Sequence, residues 1–228
     1  MNKRKAWTVA KVNFKYSTWI AYLVTILCVL ATSSNYIMAY CFNQDNTIIS
    51  LGNYLYLLCL LAPIFVASIN YSKLMHIGVK KKTYLTGSII NYVVFAAVVS
   101  LLAVGCYYFV DIPLDSDQNP IYNLIVIFGW NTNVFTAFLC QFAFLFFVEV
   151  VVHTLTFIQT KWYGFVWDIV IVTIISVFTP IAVLREVEVF FFNMILFVNP
   201  AIVQITVCLV LSIFILWTNL FYLKRRNA

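Results

Sequence analysis

Residues 70–92 read NYSKLMHIGVKKKTYLTGSIINY. Long apolar runs lie on both sides of this stretch, and between them sit three consecutive lysines and a glycine. A chain alternating in this way is a membrane chain, because each long apolar run must leave water and each charged link must stay in it. Working outward, hydropathy marks six runs of about the 20 residues that a bilayer core requires. They are expected at Thr18–Tyr40, Ile48–Tyr71, Leu85–Val110, Thr132–Ile158, Trp162–Leu184 and Ile202–Leu223. The expected fold class is therefore an all-α integral membrane protein with six transmembrane helices. Residues 1–228 form one transmembrane domain.

Composition agrees. Of 228 residues, 64% are hydrophobic and 10% are charged, against about 25% charged in soluble domains. The net charge of +6 would point to nucleic acid in a soluble protein. Here the charges sit at the ends of apolar runs, so no nucleic-acid partner is expected and the bilayer is. Of the 14 Lys and Arg residues, only Arg185 falls on the side opposite residues 70–92. The positive-inside rule then places both termini in the cytoplasm of a multi-pass cell-membrane protein. Trp19, Tyr40, Trp130, Trp162 and Tyr222 fall near run ends, as an interfacial belt requires.

The N-terminal segment is not read as a signal peptide, since no small-x-small cleavage pattern follows it cleanly. Lys3 to Tyr16 reads as an amphipathic helix in the headgroup plane, with Trp7, Ala10 and Phe14 on its apolar face. A basic tail that only enforces topology is the simpler alternative. Ile121–Trp130 and Val187–Pro200 are apolar but too short to span. They are expected to be interfacial or re-entrant on the outer side, although Ile121–Trp130 can also lengthen the fourth span. Pro63 is placed to kink the second span. The six cysteines show no CxxC pair and are expected to be inert thiols, with Cys41 and Cys106 the only plausible outer-side pair.

Chemistry is sparse. The chain has no GxxxxGK[ST] phosphate loop, no HExxH and no recognisable nucleophile set. No catalytic residue, metal ligand or bound cofactor is expected, and the protein is not read as an enzyme. Glu149 and Asp168 lie inside expected spans, and His153 is one helical turn from Glu149. Intramembrane ionisable groups are costly and face a partner or water. Glu149, His153 and Asp168 are thus either a proton or substrate relay, or a hydrogen-bonded polar patch near two helix ends.

The arrangement resembles the membrane subunits of ATP-binding-cassette (ABC) transporters, in the type-2 permease class that includes bacterial drug and peptide exporters. The class has an amphipathic helix before the first span and a basic loop after the second. That loop reads here as Gly78, Lys80, Lys81, Tyr84 and Gly87, with lysines where arginine is common. A basic, aromatic, Gly-containing turn follows the fourth span, here FIQTKWYGFVW, residues 157–167. An apolar outer segment precedes the last span, and a basic tail closes the chain. The resemblance implies a half-transporter that pairs with a second identical or related permease and with cytoplasmic ABC ATPases, where ATP and Mg would bind. Residues 73–85 would be the coupling loop, with Leu74, Met75, His76, Ile77, Gly78, Lys80, Lys81, Lys82 and Tyr84 meeting the ATPase. Hydrophobic or amphipathic cargo, a peptide or drug, is the expected substrate. The competing readings are an ion-coupled carrier using Glu149, His153 and Asp168, and a non-transporting immunity or assembly protein.

Overall fold

The structure is a computed structural model that describes residues 3–16, 19–42, 48–116, 119–159, 161–197 and 200–225. Thr18, the expected start of the first span, lies outside the described residues, as do Asp45, Asp117 and Arg226. The helices are α1 (Lys3–Tyr16), α2 (Trp19–Phe42), α3 (Leu51–His76), α4 (Lys81–Leu114), α5 (Leu124–Ile127), α6 (Val134–Ile158), α7 (Trp162–Phe178), α8 (Ala182–Leu196) and α9 (Ala201–Arg225). Two residues each of β1 (Ile48–Ile49) and β2 (Ile121–Tyr122) pair in parallel, Ile48 opposite Ile121.

Five helices, α2, α3, α4, α6 and α9, are each long and apolar enough to cross a membrane, and up to six spans result if α7 and α8 count as one. The protein is thus an all-α membrane chain. α6 is the central helix and packs against α3, α4 and α9. α4 has 34 residues, about 50 Å at 1.5 Å per residue. It exceeds the roughly 30 Å hydrocarbon core.

α1 does not lie free on the bilayer. It crosses α4, burying Ala6, Val9, Ala10 and Asn13, a stripe at i, i+3, i+4 and i+7. Of the expected apolar face, Ala10 is buried here, while Trp7 is 49% exposed and lies outside this contact. Small residues let the backbones close in. A Cβ on Gly87 would stand 2.6 Å from Val9 Cγ1 and 3.0 Å from the Ala6 carbonyl oxygen. Phe14 meets Phe95 edge-on at 4.9 Å, and Asn70 donates to Asn13 at 2.8 Å.

Pro63 is buried within α3, and three residues on, Val66–Asn70 widens into a π turn. The Val66 carbonyl accepts the Tyr84 hydroxyl at 2.9 Å, which ties α3 to the first turn of α4.

The alternative by which Ile121–Trp130 lengthens the fourth span needs correction, since the segment is not part of α6. It forms β2, the single turn of α5 and a turn at Gly129, because Asn123 caps α5 by accepting from the Ile125 amide at 2.8 Å. The expected fifth span, Trp162–Leu184, stops at Phe178. Pro180 cannot continue a helix hydrogen-bonded to the preceding turn, and the chain bends by 117° before α8 begins at Ala182. Of Val187–Pro200, the residues to Leu196 belong to the second helix of this bent pair, which is a broken span or a re-entrant loop.

Candidate functional site

The basic stretch folds more tightly than a projecting loop. α3 ends at His76, Gly78 takes a φ of 78°, and Lys80 caps α4. Only four residues, 77–80, separate the helices. The Gly78 amide donates to the Met75 carbonyl at 3.0 Å and the Val79 amide to the Leu74 carbonyl at 3.0 Å. A positive φ is cheap for glycine and costly for residues with a Cβ.

This geometry sorts the expected ATPase-coupling residues into two groups. His76, Ile77, Gly78, Lys80 and Lys82 are exposed, Ile77 at 75%. Met75 and Lys81 are half-buried. Leu74 and Tyr84, expected as surface anchors, are core residues. Tyr84 packs edge-on against Tyr71 at 5.2 Å, and Tyr71 against Phe157 at 5.0 Å. They join the turn to the bundle and offer no surface to a partner.

Directly behind this aromatic layer lies the buried acid. Glu149 and His153 are both fully buried on α6. The Tyr92 hydroxyl hydrogen-bonds His153 Nδ1 at 2.5 Å, and the His153 ring stacks on Phe157 at 5.9 Å. The Cys59 thiol of α3 faces Glu149, yet no donor among the described residues reaches either carboxyl oxygen in hydrogen-bond geometry. Leaving a buried polar group unsatisfied costs about 1–3 kcal/mol, more if charged. Asn91 and Gln141 are also fully buried, with neither side-chain polar atom partnered among the described residues.

Asp168 does not join this site. It is half-exposed on α7, and the Gln159 amide approaches both of its oxygens at 3.4 Å. The three residues expected to form one relay are therefore a buried pair and a separate, partly solvated acid. Among the described residues no cluster of three or more His, Cys, Asp or Glu has metal-binding geometry.

A second polar centre, at the other end of α4, escaped the sequence argument. Asp111 is 3% exposed. Its Oδ1 accepts from Tyr36 at 3.0 Å; its Oδ2 accepts from Ser50 and from Asn123, both at 2.6 Å. Asn123 also donates to Ser50 Oγ at 3.0 Å. Nearby, Asn53 donates to the Tyr122 carbonyl at 2.9 Å and accepts from the Leu124 amide at 3.1 Å, and the Tyr40 hydroxyl donates to the Leu114 carbonyl. One carboxylate thus holds α2, α3, α4 and the strand bridge together. Cys41 and Cys106 are free thiols, as are the other four cysteines.

Compared with known protein families, curated proteins and solved structures, the chain matches none.

Proposed function

We propose that the chain is the membrane-spanning subunit of an ATP-binding-cassette exporter of the type-2 class, working with a second permease copy or relative and with separate cytoplasmic ATPases. In this reading α7 and α8 form one broken span, giving six, and the lysine turn and both termini face the cytoplasm of a cell-membrane protein. The observation that carries the proposal is the clamping of α1 and the lysine turn onto the bundle. Val9 packs on Gly87, Asn13 pairs with Asn70, and Tyr84 reaches Val66. A surface that transmits an ATPase's movement must be rigidly joined to the spans it moves, and this one is. His76, Ile77, Lys80 and Lys82 would meet the ATPase, while Leu74 and Tyr84 would pass the displacement inward. The wide apolar faces of α7 and α8 suit a hydrophobic or amphipathic cargo.

Purifying the full chain from its native membrane should bring down a separate ATPase with a GxxxxGK[ST] loop. Charge reversal at His76 and Lys82, to Glu, should release it. Substrate transport by the purified chain alone on an ion gradient would overturn the proposal. One observation favours that second reading, an ion-coupled carrier: Glu149 is fully buried and no donor among the described residues reaches it in hydrogen-bond geometry, and intramembrane acids of this kind mark ion pathways. In that case Glu149→Gln abolishes transport and leaves assembly intact.

A further inference from the structure

We infer that the groove between α1 and the lysine turn is a binding site for the headgroup of an anionic phospholipid. The groove has a volume of about 350 Å³, and its walls include Lys5, Val9 and Val12 from α1 and Ile77, Val79 and Lys80 from the turn. One cation stands on each wall, and the surface between them is mainly apolar. No acidic residue lines it. The sequence makes this a regional property, because residues 1–110 contain a single acid, Asp45. The one acid within the first three long helices, Asp111, stands at the far end of α4 and is held by Tyr36, Ser50 and Asn123.

The position of the groove selects the source of that charge. It lies where an amphipathic helix crosses the ends of two membrane-length helices, at the level where headgroups sit. Ile77, three-quarters exposed between lysines, is poorly placed for water and well placed for the glycerol and upper acyl region. Lysine stems lie along apolar surface while their ammonium groups reach the phosphate layer. A phosphodiester with its acyl chains running down the apolar wall meets all three requirements; a soluble anion meets only the first. Ile77 and Lys80 are shared with the ATPase-facing surface of the transport reading, so the test uses the purified chain with no ATPase present.

Native mass spectrometry of the detergent-purified full chain, titrated with phosphatidylglycerol and with phosphatidylcholine, tests the inference. The wild-type chain should retain one phosphatidylglycerol in preference to phosphatidylcholine. A lysine near an anionic surface is worth roughly fivefold in affinity, so the Lys5→Gln/Lys80→Gln double variant should lose about 25-fold. Lys161→Gln, a change at an exposed lysine outside the groove, should retain the lipid. Ile77→Asp should weaken retention with both lysines in place. Unchanged phosphatidylglycerol retention by the double variant would overturn the inference, as would equal retention of phosphatidylcholine by the wild type. Displacement of the lipid by millimolar inorganic phosphate would assign the cations to a free anion instead.

Discussion

Val9 occupies the space that a side chain at Gly87 would need: an added Cβ would stand 2.6 Å from Val9 Cγ1. Gly87→Ala should therefore push α1 off α4. Overpacking of this kind costs about 1–3 kcal/mol, read as a lower Tm of the detergent-purified protein. Faster tryptic cleavage at the α1 lysines should accompany it. Val9→Ala should recover most of the loss when combined with Gly87→Ala, since the two side chains share one space. A double variant no more stable than Gly87→Ala would show that the contact is not the cause.

Leu74 and Ile77 are three residues apart and should respond oppositely. Leu74→Ala removes a side chain packed in the core and should cost about 2–5 kcal/mol. Ile77→Ala changes an exposed site and should stay within about 0.5 kcal/mol. Equal Tm losses for the two would mean that the turn does not pack as described.

Asp111→Ala should leave the hydroxyls of Tyr36 and Ser50 and the Asn123 amide without their acceptor. Breaking a buried network at its shared member costs several kcal/mol, because each stranded group adds about 1–3. Hydrogen exchange should locate the damage, with protection falling first at the Ile48 and Ser50 amides of the strand bridge. Asp111→Asn should be milder, since it keeps a single acceptor oxygen.

Glu149→Met should raise stability, by about 1–3 kcal/mol, because it removes a buried carboxyl that no donor among the described residues reaches in hydrogen-bond geometry. Thermal unfolding of the two proteins side by side decides this. A large destabilisation would mean that water or another partner holds the carboxyl.

Five of the expected spans were legible in the sequence because an apolar run of 20 or more residues has few alternatives to crossing a bilayer. The helical character of Lys3–Tyr16 was legible too. Its buried face was not, since Trp7 and Val9 are both apolar and only the fit against Gly87 selects between them. The break at Pro180 was open to inspection, but the apolar run passes through it without a dip in hydropathy. Leu74 and Tyr84 illustrate a deeper limit. An apolar residue beside a lysine turn can face a partner or the bundle, and periodicity over four loop residues cannot choose. Glu149 and His153 were found from their depth in a span. Asp111 directly follows the apolar run that ends at Val110, where a charge reads as the start of an outer loop. Its partners Tyr36 and Ser50 lie 75 and 61 residues earlier, beyond the reach of any local pattern.

The bridge between Ile48 and Ile121 imposes an order on biogenesis. Ser50 and Tyr36 leave the ribosome long before their acceptor exists. At 5–20 residues per second, Asp111 follows Tyr36 by about 4–15 s, and the whole of α3 and most of α4 must be made in between. Until then the α2–α3 connection has neither its strand partner nor its carboxylate. The Asp111 centre therefore closes late, and its closure reports that α4 has been delivered along its full length. A nascent chain stalled before that point would present an open, unlatched end to whatever quality control surveys the membrane.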